Sequence, residues 1–313
     1  MMETKEKNFA SAIIYVHNDE ENIEQFLKTI IEVMENNFEH SEIICVNDFS
    51  NDKSLEKIKS ISKFASMTSV SVINLSHFHG LEMAMSAGMD LAIGDFVFEF
   101  DNTILDFNPE EIMKIYKRSL TGFDIVSASP EKPEAFSSKI FYKVFKTFSN
   151  NKYEMSTESF RVLSRRVINR ISDMNRSVPY RKVIYANAGL KIDNIKYKVV
   201  RVGGKCVCDK INNYRFDLAS EALILFTDFG YKFSSFMAFL MMFISIAAVV
   251  YAILIYLISK PIEGWTTTII FISISFFALF VVLTIVIKYL KIILDLIFKK
   301  KYYNFESIEK LTK

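Results

Sequence analysis

Two long apolar runs lie in the last third of the chain, at residues 233–259 and 264–287. Neither run contains a charged residue, and only four residues separate them, Lys260, Pro261, Ile262 and Glu263. Each run exceeds the roughly 20 residues that a helix needs to cross about 30 Å of hydrocarbon. Helices of soluble proteins are shorter on average and carry a polar face. The pattern therefore predicts a transmembrane hairpin rather than a helical pair buried in a soluble core.

Positive charges flank this hairpin on one side. Arg215 and Lys232 precede the first run, and Lys288, Lys291 and residues 299–301 follow the second. Cytoplasmic flanks of membrane helices are enriched in Lys and Arg, so both ends are expected in the cytoplasm. The polar first seven residues predict no signal peptide. We therefore expect the larger, N-terminal part of the chain to lie at the inner face of the plasma membrane.

The segment after the second run, residues 288–301, combines apolar residues at helical spacing with lysines. This pattern favours an interfacial helix on anionic lipid, although a plain extension of the span has the same pattern. Small residues such as Ser245 and Ala248 leave self-association into a homo-oligomer open. The net charge of +2 gives no indication of a nucleic-acid partner. Cys206 and Cys208 lack the further ligands of a zinc site, so we interpret them as reduced structural thiols.

Short runs rich in β-branched and aromatic residues alternate with helical periodicity through the first 130 residues. We predict strands at residues 9–16, 42–47, 69–75, 95–101 and 123–129. We predict helices at residues 19–37, 52–66, 79–92 and 109–120. This alternation is typical of parallel strands joined by right-handed crossovers. We therefore predict one α/β domain at residues 1–230 and a membrane region at residues 231–313.

Polar residues follow the predicted strands where each one ends. Ligands of such sheets bind outside the carboxyl ends of the strands, so these residues are candidates for a site. Several carboxylates at one crevice repel each other unless a cation lies among them, which favours a divalent metal bridging a diphosphate. Helix capping by Asn18, Asp52 and Asn108 is the competing interpretation, because each precedes a predicted helix.

The order of several motifs is similar to that of a known family. An apolar strand ending in Asn18-Asp19-Glu20, the segment Val46 to Asp52, and the segment Phe160 to Arg166 are each weak motifs alone. Together, and followed by the two apolar runs, they resemble the family 2 glycosyltransferases. Within that family the resemblance is to the membrane-anchored polyprenyl-phosphate transferases related to dolichyl-phosphate mannose synthase. It implies a Rossmann-like GT-A fold with a mainly parallel sheet.

The resemblance also implies an activity and its partners. A sugar would pass from a UDP- or GDP-linked donor to a polyprenyl phosphate, with inversion and with help from Mg²⁺ or Mn²⁺. An acceptor phosphate is already anionic near neutral pH, so this reaction needs no strong general base. A saccharide or a diacylglycerol lipid is the alternative acceptor. The donor sugar stays undetermined.

Site residues follow from the matching positions. Asn18, Asp19 and Asp48 would hold the nucleoside, while Asp101 and Thr103 would contact the donor. Asp101 and Asp106 would bind the metal. Two arginines, Arg161 and Arg165, would contact the acceptor phosphate, because guanidinium groups match phosphate oxygens.

Departures from the family pattern favour a second hypothesis. Thr103 stands at the second carboxylate of the metal motif Asp101-Asn102-Thr103, so the metal would bind weakly. Ser159 stands where many relatives carry an acidic residue, and Phe49 and Phe78 replace a glycine and an asparagine. The alternative is therefore a catalytically inactive membrane subunit with an interaction or regulatory role.

Overall fold

A computed structural model of the chain describes residues 5–131, 158–173, 181–187, 189–200 and 305–312, together with isolated helical positions between residues 236 and 293. The strands form one eight-stranded sheet. They are β1 (Ala10–Val16), β2 (Ser41–Asn47), β3 (Ser69–Leu75), β4 (Phe96–Phe100), β5 (Ile125–Pro130), β6 (Phe160–Ser164), β7 (Ile192–Tyr197) and β8 (Phe305–Lys310).

The strands are arranged in the order β7-β5-β6-β4-β1-β2-β3-β8. The four neighbours β4, β1, β2 and β3 are parallel, as are β5 and β7. β6 is antiparallel to β4 and β5, and β8 is antiparallel to β3. The predicted α/β fold with a mainly parallel sheet is confirmed. The carboxyl ends of β1 to β4 consequently lie along one edge of the sheet.

Helices cover both faces of this sheet. They are α1 (Ile23–Asn37), α2 (Ser54–Ile61), α3 (Leu81–Leu91), α4 (Glu110–Leu120), α5 (Arg165–Asp173) and α6 (Arg181–Asn187), with a short 3-10 helix at Ser62–Phe64. Apolar residues of α1, α2 and α4 pack in the core on one face, and those of α3, α5 and α6 pack in the core on the other. Both cores share the central strands, whose side chains alternate between the two faces.

Two of the three residues for which helix capping was the competing interpretation accept a backbone N–H at the start of a helix. Asp52 Oδ1 accepts the backbone N–H of Ser54 at 3.0 Å, and Asn108 Oδ1 accepts that of Glu110 at 3.2 Å. These bonds satisfy donors that have no partner inside the helix. Asn18 does not cap α1, because its Oδ1 accepts the N–H of Asn51 in the loop after β2.

The strand β8 was not predicted, and it lies in what the sequence presents as a polar tail. It adds an antiparallel edge strand to β3. The buried amide of Asn74 donates to Ser307 Oγ at 3.0 Å, and Lys59 lies 2.6 Å from the carboxylate of Glu309. The segment completes the hydrogen bonds of β3, which would otherwise be an open edge.

Deleting residues 305–313 is expected to lower the free energy of unfolding by about 3 kcal/mol, since several strand hydrogen bonds of roughly 1 kcal/mol each are lost and a buried amide loses a partner. Thermal unfolding followed by circular dichroism measures this change. The matched control is Lys310→Ala within the intact strand, which is expected to change stability by less than about 0.5 kcal/mol because the side chain is exposed. A deletion as stable as the control would contradict the role of β8.

The predicted spans at residues 233–259 and 264–287, and the predicted interfacial helix at 288–301, lie largely outside the described residues. The isolated positions that are described between residues 236 and 293 are helical. Within the part of the chain that the structure describes, we find no helix that is both long and apolar enough to cross a membrane. Residues 147–150 and 220–300 form a second compact unit.

Candidate active site

The loops that follow β1 and β2 are joined by hydrogen bonds. The ring Nδ1 of His17 lies 2.6 Å from the carbonyl oxygen of Asp48, and the N–H of Asn18 donates to Ser50 Oγ at 3.0 Å. Asn18 adopts a φ of +49°, a conformation that Asn tolerates better than most residues. The structure therefore gives Asn18 a role in holding the two loops together, rather than a side chain directed to a ligand.

The carboxylate of Asp48 is fully buried and bonded within the protein. Its Oδ1 accepts the N–H of His79 at 2.8 Å, and its Oδ2 accepts the N–H of Gly80 at 2.8 Å and the hydroxyl of Tyr15 at 3.1 Å. Two backbone donors and a hydroxyl satisfy most of the lone pairs of a carboxylate. Asp48 thus fixes the loop that leads into α3, and three hydrogen bonds within the protein already use most of its acceptor capacity.

Asp19 and Thr103 form a pair that connects the ends of β1 and β4. The buried hydroxyl of Thr103 donates to Asp19 Oδ2, and Asn22 donates to Asp19 Oδ1 at 2.7 Å. Burial raises the pKa of Asp19; the bond from Asn22 opposes this rise, whereas the negative charges of Asp52 and Glu21 add to it. The hydroxyl of Thr103 is thus bonded to Asp19 in this structure, and its contact with the donor stays a prediction.

Asp101, directly after β4, is held by two arginines. Its Oδ2 accepts from Arg161 Nη2 and its Oδ1 from Arg181 Nη2, each at 2.8 Å. The side chain remains 10% exposed. Burial alone would raise the pKa of Asp101, but the positive charges of Arg161 and Arg181 outweigh this effect and hold the pKa well below its usual value. Asp101 is an ionised carboxylate in a fixed orientation at the edge of the sheet.

The same two arginines bind a second carboxylate beneath Asp101. Glu99 is fully buried in β4 and accepts from Arg161 Nη1 at 3.0 Å, from Arg181 Nη1 at 2.5 Å and from the hydroxyl of Tyr185 at 2.9 Å. Arg181 also donates through Nε to Glu82 of α3 at 2.8 Å. Arg161 Nε also lies 3.2 Å from the carboxylate of Glu158. We call these residues the ion network, and its members are Glu82, Glu99, Asp101, Glu158, Arg161, Arg181 and Tyr185.

Buried charges are tolerated only when they are paired, and here each one has a partner. Burial would lower the pKa of the Arg181 guanidinium, but Glu99, Glu82 and Asp101 raise it well above its ordinary value. The pKa of the Arg161 guanidinium is raised in the same way, because the neighbouring carboxylates outweigh the effect of burial. The network joins β4, β6, α3 and α6, so the orientation of Asp101 depends on four separate elements.

The phosphate contacts of Arg161 and Arg165 stay a prediction, and the structure shows which protein groups these two side chains contact. Arg161 is buried and bonded to Glu99 and Asp101, because its β6 position faces β4 in the antiparallel pair with Glu99 opposite. Arg165, at the start of α5, donates to the backbone carbonyls of Gly94 and Ala92. Both guanidinium groups are thus bonded to the protein. Arg161 positions Asp101, and Arg165 fixes the turn that leads into β4.

Asp106 bonds to a different residue from those that bond to Asp101. Asp106 Oδ1 accepts from the hydroxyl of Tyr197 at 2.8 Å, and that hydroxyl lies 2.7 Å from Ser159 Oγ. Burial and the contact with Asp106 raise the pKa of Tyr197, although the bond with Ser159 opposes them. This bond connects the loop of Asp106 to β7, and the role of Asp106 as a second metal ligand stays a prediction.

A resident metal held by the protein alone does not fit the ligands present. Within the described ranges, no group of three or more His, Cys, Asp or Glu side chains could hold an ion. Asp101 nevertheless fits an ion that arrives with a diphosphate, since each of its oxygens accepts one hydrogen bond from the network and keeps a second lone pair. Magnesium is commonly bound in this way, through one or two carboxylates together with substrate phosphates.

Sequence reasoning missed Glu99 and Arg181. Glu99 offered a signal, because a single charge inside the apolar strand Phe96–Phe100 must be buried and therefore requires a cationic partner. The partner could not be identified in the same way. Arg181 lies 82 residues further along the chain, and only the packing of α6 on the sheet brings it there.

The sequence and the fold of the chain are similar to those of known proteins. Residues 11–173, more than half of the chain, match the family described as glycosyl transferase family 2. The chain is 33% identical over 187 residues to an uncharacterized glycosyltransferase from Synechocystis, covering 58% of each protein, so it matches less than two thirds of that relative's length. It is 29% identical over 228 residues to a prophage bactoprenol glucosyl transferase homolog from Escherichia coli, covering 70% of this chain and 72% of the relative.

Among solved structures, the fold is similar to that of a mannosyltransferase from Pyrobaculum calidifontis in complex with GDP-Man and Mn²⁺. The TM-score is 0.50 with 14% sequence identity, and the match covers 89% of this chain and 88% of the other. At this identity the likeness shows the fold alone.

Proposed function

Because the chain belongs to glycosyl transferase family 2, we propose that it transfers a sugar from a nucleotide-sugar donor to a polyprenyl phosphate. The matched region, residues 11–173, extends from the second residue of β1 through β6 and contains the loops that hold Asp19, Asp48 and Asp101. The observation that carries the proposal is the ionised carboxylate of Asp101, which two guanidinium groups orient at the carboxyl edge of that region. Crevices at this edge are where sheets of this kind bind their ligands.

The name of one relative and the chemistry of a phosphate nucleophile both support a polyprenyl phosphate as the acceptor. The relative from Escherichia coli is named a bactoprenol glucosyl transferase homolog, which supports a polyprenyl acceptor for this chain. A phosphate monoester is already a nucleophile at neutral pH, so its attack on the anomeric carbon requires no strong base. Ser159, bonded to Tyr197, is compatible with this reaction because no carboxylate is needed at that position.

The chain's own residues contribute position and charge. Asp101 is kept ionised by Arg161 and Arg181, and it would orient the donor at the edge of the sheet. Asp19 is bonded to Thr103 and so links the loop after β1 to the loop after β4. This bond would keep the two sides of the crevice in a fixed relative position. A divalent cation held by Asp101 and the donor would neutralise the charge that develops on the departing diphosphate. Preorganised groups of this kind lower the barrier without moving during the reaction.

Membrane attachment is part of the same proposal. The apolar runs at residues 233–259 and 264–287 are each long enough to span a bilayer, and their flanking lysines favour a cytoplasmic catalytic domain at the inner face of the plasma membrane. A lipid phosphate would then meet the site at the membrane surface. The nucleotide is proposed to be UDP or GDP.

Manganese is expected to stabilise the protein only together with a nucleoside diphosphate, because Asp101 supplies a single carboxylate. At a ligand concentration of about 100 times Kd, the free energy of unfolding should rise by about 2.7 kcal/mol. Thermal unfolding with UDP, GDP and manganese, separately and combined, measures this. Asp101→Asn should lose the manganese-dependent part of the shift. Stabilisation of the wild-type chain by manganese alone would contradict a site that needs the diphosphate.

A catalytically inactive subunit is the second candidate, and the pairing of Thr103 with Asp19 favours it. A carboxylate that relatives use for the metal is missing, and the remaining hydroxyl is occupied. Purified protein incubated with nucleotide sugars and a polyprenyl phosphate distinguishes the candidates. A glycosylated lipid, identified by mass spectrometry, supports the enzyme, and the absence of product with every donor supports the inactive subunit. The same spectra separate a lipid phosphate from a saccharide or diacylglycerol acceptor.

A further inference from the structure

Three aromatic side chains lie at the carboxyl ends of the adjacent strands β1, β2 and β3. They are His17, Phe49 and Phe78, and we call them the aromatic platform. The rings of His17 and Phe78 are in contact, with centroids 4.7 Å apart and planes inclined by 54°. Phe49 is 44% exposed and Phe78 is 48% exposed. Two large apolar rings are thus presented to solvent at the edge where a ligand is expected.

The backbone of Phe49 adopts a conformation that aromatic residues rarely occupy. Its φ is +55°, in the left-handed region where the Cβ atom of an L-residue is crowded. The neighbouring bonds that Asn18 makes to Ser50 and Asn51 hold this turn in place. Neither backbone preference nor burial explains a phenylalanine here. Strained positions that the surroundings maintain are concentrated at functional sites.

The carboxylate of Asp48 is already bonded within the protein. Asp48 is fully buried, and its oxygens accept from Tyr15, His79 and Gly80. A base at this edge would therefore meet exposed ring faces instead of a free carboxylate. Every nucleobase has a π-face, so stacking is tolerant of base identity.

We infer that the nucleobase of the donor stacks on Phe49 and Phe78 beside His17, and that base recognition in this chain relies on aromatic contact rather than on Asp48. This inference rests on the proposed function. The order of the strands supports it: the platform spans β1 to β3, and Asp101 follows β4, the other neighbour of β1. A nucleotide lying across these ends would place its base on the platform and its diphosphate toward Asp101. Uracil and guanine should both be accepted.

Isothermal titration of the detergent-solubilised full chain with UDP and with GDP, in the presence of manganese, tests the inference. Phe49→Ala and Phe78→Ala are each expected to raise Kd by about tenfold for both nucleotides, since each removes one stacking ring. Phe49→Tyr should bind like the wild type. The matched control is Phe64→Ala, because Phe64 is 75% exposed but lies after α2, away from the carboxyl ends of the strands.

Phe49→Gly separates binding from folding. Glycine accepts a positive φ without strain, so the unfolding midpoint of the free protein should rise by about 2 °C while nucleotide affinity falls as in Phe49→Ala. Wild-type affinity in both Phe49→Ala and Phe78→Ala would overturn the aromatic platform and leave the proposed function standing. A wild-type chain that binds neither nucleotide would overturn both.

Discussion

Asp101→Asn is expected to reduce sugar transfer to a lipid phosphate by at least about a hundredfold, the effect of losing one preorganised charged group at a reacting centre. Asparagine keeps the shape of the side chain and one oxygen acceptor for Arg161 or Arg181. The substitution removes the negative charge of a carboxylate that those arginines keep ionised. Transfer is measured by mass spectrometry of the lipid product, and circular dichroism reports whether the variant is folded.

Asp193→Asn is the matched control, since this aspartate of β7 forms a surface ion pair with Arg118 of α4. Such pairs contribute about 0.2–1 kcal/mol, so both transfer and stability should remain near wild-type values. Undiminished transfer by a folded Asp101→Asn protein would contradict the assignment of Asp101. Loss of transfer in both variants would show that the assay reports general damage rather than the site.

The central part of the fold is predictable because local patterns agree with the tertiary structure. Each predicted strand from residue 9 to residue 129 overlaps an observed strand within two residues at either end. These strands are buried on both faces, so they appear in the sequence as short β-branched and aromatic runs. Helix starts were less accurate. α1 begins at Ile23 rather than at Asp19, because the carbonyl of Asp19 accepts from Asn22 and Ile23 in a turn that precedes the helix.

The strand β8 and the ion network could not be predicted, since both depend on contacts between residues far apart in the chain. Asn74 and Ser307 are separated by 233 residues, and Glu82 and Arg181 by 99. No periodicity encodes such pairs.

The candidate site was predicted in its location and only partly in its roles. Asp101 does lie at the carboxyl edge of the sheet as expected, and Asp19 and Asp48 lie in the loops at the same edge. Their partners decide what each one can do. The carboxylate of Asp48 accepts hydrogen bonds from backbone N–H groups, and that of Asp19 is bonded to Thr103. Asp101 keeps lone pairs for a ligand. A motif identifies a carboxylate, but only its hydrogen bonds show whether it is available.

Glu99→Gln is expected to lower the free energy of unfolding by about 3–5 kcal/mol, because removing one partner of a buried ion pair leaves the other charge uncompensated. Glutamine has nearly the same volume, so packing is preserved and the change is electrostatic. Arg161 and Arg181 would share the remaining carboxylates, and the orientation of Asp101 should loosen. The unfolding midpoint should fall by about 10 °C, as 1 kcal/mol corresponds to roughly 2–4 °C in a domain of this size.

Glu111→Gln provides the same substitution at a surface ion pair, since Glu111 lies 2.6 Å from Lys114, a largely exposed residue of α4. Its expected effect is below about 1 kcal/mol. The difference between the two variants therefore isolates the effect of burial. If Glu99→Gln were as stable as Glu111→Gln, the arginines would not need Glu99, and Asp101 could not owe its position to the network. If instead Glu99→Gln is unstable and nucleotide binding weakens with it, the buried pair and the candidate site depend on the same set of contacts.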